Sequence, residues 1–100
     1  MRYTIKESDG VIIISPAVSV HSTEAEHLRE EIFGLISQGK RRFLFDMSGV
    51  KYIDSSGLGV MMAVNKKVKP HGEQVMVCGL SGTVLELFQL TCLDKYFIIL

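Results

Sequence analysis

Apolar residues change their spacing several times along this chain, and each change marks an element. Val11-Ile12-Ile13-Ile14 is a continuous apolar run of strand length. With the β-prone stretch Tyr3 to Lys6 before it, the intervening Asp9-Gly10 reads as a hairpin turn, because both turn positions take positive φ. The run lacks polar alternation, which predicts a strand covered on both faces and ended by Pro16. After a connector from Ala17 to Ser22 the period becomes helical. Leu28, Ile32, Leu35 and Ile36 share one face, Thr23 and Glu26 have capping-box spacing, and Gly39 closes the helix.

A second apolar run, Phe43-Leu44-Phe45, predicts another strand, and a spacer from Met47 to Ile53 follows it. Helical spacing then returns from Ser56 or Gly57 to Val68, with Leu58, Met61, Met62 and Val68 inward and Pro70 and Gly72 as stops. Gln74 to Cys78 reads as a strand, Thr83 to Leu90 as a helix with a Thr83/Glu86 capping box, and Tyr96 to Leu100 as a last strand. Strands alternating with helices imply crossover units. The fold class is α/β, a small mixed, largely parallel sheet with an N-terminal hairpin and helices packed against it.

Composition narrows the picture further. One hundred residues with 47% apolar content suit one domain over residues 1–100, burying roughly 60 to 70% of its unfolded surface. Eleven basic and eleven acidic side chains cancel, which argues against a nucleic-acid partner held by bulk charge. No run approaches the roughly 20 apolar residues of a spanning helix, and the first residues lack a signal-peptide core, so no membrane span and a cytoplasmic location are expected. Cys78 and Cys92 have neither disulfide-framework nor zinc-ligand spacing and are assigned to apolar packing. Lys40-Arg41-Arg42, beside a helix C-terminus, reads as a solvated, dipole-compatible surface.

Candidate chemistry concentrates in Phe43 to Val64. Asp54-Ser55-Ser56-Gly57 stands where a strand hands over to a helix, a place with unpaired N–H groups and a dipole that favours negative charge. A nucleophile elbow would need Gly-x-Ser-x-Gly, and Ile53-Asp54-Ser55-Ser56-Gly57 lacks the first glycine. None of His21, His27 and His71 has a spacing that makes it a base for Ser55, and Walker and metal-ligand motifs are absent. The residues therefore predict no catalytic group, no metal and no cofactor, and no enzyme. Three uses remain open: Asp54, Ser55 or Ser56 as a plain helix cap, a serine as a kinase substrate, or the amides of Ser55 to Gly57 as a seat for a ligand phosphate.

Asp54-Ser55-Ser56-Gly57-Leu58-Gly59, preceded by Phe43-Leu44-Phe45-Asp46 and the spacer Met47 to Ile53, closely resembles the signature of the STAS domain family, especially the bacterial anti-sigma-factor antagonists. The opening hairpin, the Leu28/Ile32 helix, the Gly72 to Cys78 turn and strand, and Val84-Leu85-Glu86-Leu87-Phe88 extend the likeness over most of the chain. The resemblance implies a partner-switching regulator of transcription. Unphosphorylated, it binds an anti-sigma-factor serine kinase; the kinase phosphorylates the serine after the aspartate, here Ser55, and a metal-dependent serine phosphatase reverses this. Asp54 and Ser56 would border the acceptor, Gly57 would leave room for a partner's backbone, and with Leu58 they would form the partner-binding surface. His21 would join them, because Ala17 to His21 stands where many antagonists carry a Gly-x-Leu-Asp-like segment on the kinase-facing side. Family members often continue into a further helix beyond the position of Ile98-Ile99-Leu100, so an apolar edge there leaves a homodimer open. Other readings are a non-switching scaffold subunit of a transport or stress-signalling complex, or a nucleotide- or small-molecule-sensing module.

Overall fold

The computed structural model describes residues 3–17, 19, 20 and 22–100, with the backbone alone at residues 19, 20, 22 and 23. The chain opens with the expected hairpin: β1 (Tyr3–Ser8) and β2 (Val11–Pro16) pair antiparallel. Asp9 and Gly10 take φ of 51° and 81°, the two left-handed positions of a tight turn that matches strand twist. Next come β3 (Ser19–Val20), α1 (Ser22–Ser37), β4 (Phe43–Asp46), β5 (Tyr52–Ile53) and α2 (Ser55–Val68). The last elements are β6 (Met76–Cys78), α3 (Gly82–Leu90) and β7 (Ile98–Ile99), with single 3-10 turns at Lys69–His71 and Leu93–Lys95.

Five strands form the main sheet in the order β1-β2-β4-β6-β7, every pairing after the first being parallel. The crossovers through α1, α2 and α3 each step one strand in the same direction. Crossovers share one hand, so helices carried by steps in one direction fall on one face. Burial follows this rule. Ile12, Ile14, Phe43, Phe45 and Val77 point at the helices and are at most 2% exposed. The alternate residues Ile13, Leu44 and Met76 are only half-buried, and with Lys6 and Ile98 they form one row across all five strands.

The expectation that β2 is covered on both faces is therefore corrected. Its pattern alternates buried and half-buried despite an unbroken apolar sequence, because nothing among the described residues packs on the second face. Two short strands were also outside the reading: β3 and β5 pair parallel as a separate ladder in what reads as connector and spacer. Two residues are too short to show a period. At the other end, β6 and β7 are shorter than the runs that announced them.

The helix ends show how local chemistry sets the frame. Gly39, with φ of 99°, lets its own N–H and that of Lys40 return to the carbonyls of Ile36 and Leu35. Arg41 adds its guanidinium to Ile36 O at 2.7 Å and Lys40 O at 2.9 Å. Arg41 thus closes α1 against its negative end, while Lys40 pairs instead with Glu7 at 2.9 Å. The Thr23/Glu26 capping box lies partly outside the described side chains, although α1 already begins at Ser22. At α3 the expected box is absent: Ser81 holds the cap position, and the Thr83 hydroxyl donates instead to Lys51 O at 3.4 Å. Cys78 is half-buried on the strand and Cys92 is exposed in a left-handed turn, so only the first does any packing.

Gly79 joins the two loops that leave β4 and β6. Its φ is 75°, and a Cβ built there would stand 2.6 Å from Ser48 N. Gly79→Ala combines left-handed strain with a backbone clash and is expected to cost about 2 kcal/mol or more. The midpoint of urea unfolding reads this directly; an unchanged midpoint would contradict the close approach.

Candidate functional site

The Asp54 carboxylate fixes the entrance of α2. Its backbone is extended (φ −105°, ψ −175°), and its Oδ1 accepts from Gly57 N at 3.1 Å, the arrangement of an N-cap acid. Of the three capping candidates it is thus Asp54 that serves, and Ser55 and Ser56 become the first two residues of the helix. Both serines are exposed. Their hydroxyls stand beside the free N–H groups and positive end of a 14-residue helix.

Packing of α2 explains why they face outward. Gly57, Val60, Met61, Val64, Asn65 and Val68 are buried, a stripe at spacings of three and four that the 3.6-residue repeat keeps on one side. Leu58 lies at the margin, half-buried against the core. Met62, read above as inward, is 39% exposed; one helical step of about 100° beyond Met61 carries it off the buried stripe. Ser55, Gly59, Met62 and Lys66 fall on the opposite side, within about 60° of one line. Gly57 lies beneath the first turn, and the glycine presented to solvent is Gly59.

Asn65 escaped the sequence reading. It is a buried polar residue, 5% exposed, whose Nδ2 donates to Tyr96 O at 3.0 Å and whose Oδ1 accepts from Val75 N at 2.8 Å. These bonds tie α2 to the start of β6 and to the segment leading into β7. The only signal was an amide four residues after Met61 on an otherwise apolar face.

Two shallow clefts flank Gly59. One, about 370 Å³, lies between α1 and α2 and is lined by Ala25, Glu26, Arg29, Ser56, Gly59 and Val60. The other, about 450 Å³, lies between α2 and Tyr96 and includes Met62, Ala63, Lys66 and Lys69. His21, the remaining expected partner contact, lies outside the described residues. No cluster of three or more His, Cys, Asp or Glu suited to a metal occurs among the described residues, and no helix there is long and apolar enough to cross a membrane.

Asp46, at the end of β4 where the spacer begins, is clearly perturbed. Hydrogen bonds from the Ser48 hydroxyl (2.7 Å) and Ser48 N (3.1 Å) hold the Asp46 carboxyl below its usual range. Burial, then the neighbouring Asp46 charge, pushes the Cys78 thiol up.

The STAS domain model matches residues 2–100. BtrV of Bordetella bronchiseptica, a protein named for anti-sigma factor antagonism, is 31% identical over 91 residues, covering 91% of this chain and 78% of BtrV. The anti-sigma-B factor antagonist of Bacillus subtilis is 32% identical over 87 residues, covering 87% and 79%. Among solved structures, tm1081 of Thermotoga maritima superposes with a TM-score of 0.90 at 24% identity, over 97% of this chain and 84% of that one. The Bacillus antagonist SpoIIAA superposes in its unphosphorylated form at 0.82 (16% identity, 98% and 86% covered) and in its phosphorylated form at 0.80 (17%, 98% and 90%).

Two measurements check the local chemistry. Asp54→Ala should cost about 1 kcal/mol in denaturant unfolding, with Asp54→Asn restoring most of it, since either side chain can cap. Ser48→Ala should move the Asp46 pKa up toward the ordinary carboxylate value in an NMR titration. A depressed carboxyl contributes stability above its unfolded pKa and loses it as pH falls through its folded pKa, so in the variant that contribution should be smaller and its loss complete at a higher pH.

Proposed function

Because the chain belongs to the STAS domain family, we propose that it is an anti-sigma-factor antagonist that works by partner switching, with Ser55 as the phosphorylated residue. In this reading residues 1–100 act as one cytoplasmic binding domain and not as an enzyme. The unphosphorylated form binds an anti-sigma-factor serine kinase and so frees a sigma factor. The kinase phosphorylates Ser55 and is released, and a metal-dependent serine phosphatase restores the binding form. Asp54, Ser56 and Leu58 border the acceptor; Gly57 shapes the turn beneath it.

The observation that carries this reading is the position of Ser55: exposed, first in α2, and relieved of capping duty by Asp54. A kinase can reach such a hydroxyl without unfolding the helix, and esterifying it removes no cap. The phosphate adds about −1.5 to −2 charge at pH 7. Within the monomer, the positive end of α2 offsets part of it. A protein docked on the same surface meets the whole dianion next to the Asp54 carboxylate, across a contact from which water has been removed. Reversing occupancy from nearly full to nearly empty takes roughly 5.5 kcal/mol of differential affinity. The names of the two curated relatives and the existence of SpoIIAA in both phosphorylation states support the same reading.

Incubation with the purified serine kinase and ATP, followed by mass spectrometric mapping, should place one phosphate on Ser55. Modification of Ser56 alone, or of neither serine by a kinase active on its own antagonist, would reject the assignment. By calorimetry, Ser55→Ala should bind the kinase like the parent chain. Ser55→Asp, carrying one charge instead of two, should bind roughly tenfold to a hundredfold more weakly. Equal affinities would rule out the charge mechanism.

A further inference from the structure

Gly59 poses a question that the monomer does not answer. A glycine inside a helix destabilises it relative to alanine, chiefly through backbone entropy. Such a cost is ordinarily offset by positive φ or by tight packing. Gly59 has neither: it lies in the second turn of α2, and a Cβ added there would meet nothing within 4 Å. It is also where the two clefts beside α2 meet, one reaching toward Arg29 and the other toward Tyr96.

The larger cleft has a definite chemical polarity. Along α2 its lining passes from the apolar Gly59, Met62 and Ala63 to Lys66 and Lys69, and Tyr96 adds an aromatic wall beside them. The Tyr96 wall is held in place by its carbonyl, which accepts from Asn65 Nδ2 at 3.0 Å and Gln74 Nε2 at 2.6 Å. Lys67 is directed elsewhere, over the Phe33 ring at 5.3 Å, leaving Lys66 and Lys69 as the cations of the groove. From Ser55 to Lys66 the stripe runs about 16 Å, three turns of helix.

We propose that this groove is a docking site for an amphipathic helix of the kinase partner, lying antiparallel to α2 and acidic at its N-terminal end. This rests on the switching role assigned to Ser55 and extends the contact along the helix beyond it. Charge sets the direction. Acidic side chains at the N-terminus of the incoming helix pair with Lys66 and Lys69, where the negative end of α2 would repel a second negative helix end. Its C-terminal end then lies over the positive end of α2, beside Ser55. Apolar residues spaced three and four apart fill the space along Met62, Ala63 and Tyr96, and the missing side chain at Gly59 lets the two backbones approach. A phosphate on Ser55 would face the negative end of that helix, which gives the release step a specific origin.

The test compares variants of the full chain for affinity to the purified anti-sigma-factor kinase and for melting temperature. Gly59→Gln should melt a few degrees higher than the parent, because glutamine is the better helix former, yet bind at least tenfold more weakly. The double variant Lys66→Glu/Lys69→Glu should also lose at least tenfold, with most of the difference gone at 0.5 M salt. Lys6→Glu, on the uncovered face of the sheet, should bind like the parent. Parental affinity in both groove variants, while Ser55→Asp still weakens binding, would overturn the groove and leave the switch standing. Failure of the parent chain to bind the kinase would overturn both.

Discussion

Every parallel step in this sheet advances in one direction, so the helices share a single side and the core has only one place to form. Ile14, Phe45 and Val77 stand in one buried row, and α1 and α2 pack over it through Leu28, Ile32, Val60, Met61 and Val64. Burying each of these side chains contributes roughly 1.5–3 kcal/mol against the chain entropy of folding. The orientation of α2 about its own axis is part of that packing. Rotating it enough to hide Ser55 would expose Val60 or Val64, both at most 3% exposed. The exposure of the serine is therefore a consequence of the core and costs the local loop nothing.

The first turn of α2 separates two duties that a serine often performs together. A serine that caps its own helix is a poor switch, since esterifying its hydroxyl removes a stabilising hydrogen bond as it adds charge. Here the bond from Gly57 N goes to Asp54, so a phosphate on Ser55, as proposed above, would change charge while the helix start is retained. The buried amide of Asn65 plays the corresponding part at the other end, fixing the Tyr96 segment against α2 so that the surface beside the serine keeps its shape.

Legibility in the sequence followed the length and regularity of each signal. The hairpin was readable because Asp9-Gly10 has a backbone requirement few pairs meet, and Gly39 because a helix end needs a left-handed residue. The serine site was readable as a strand-to-helix junction, and the resemblance to STAS domains supplied the choice of Ser55. What escaped depended on partners distant in the chain. The β3/β5 ladder joins two-residue segments separated by more than thirty positions. The open face of β2 follows from the direction of the crossovers and not from its own residues, which are apolar on both sides. Met62 was misplaced because adjacent methionines look alike until the helix is wound, and the cap of α3 because the helix starts at Gly82, which puts Thr83 inside its first turn.

The two glycines of the signature show how far residue type underdetermines role. Gly57 is buried and gives its N–H to the cap; Gly59 is exposed, has open space where a Cβ would stand, and sits where two clefts meet. Only the first is accounted for by the fold. Gly34 in α1 likewise has open space at its Cβ position, so what distinguishes Gly59 is its place between the two clefts and one turn from Ser55. The serine stands one turn before Gly59 on the same side of the helix, so whatever approaches the bare backbone at Gly59 also lies within reach of a charge placed on Ser55. Under the proposed switch, that geometry would couple a phosphate on Ser55 to the docking surface through distance alone, with no change of fold.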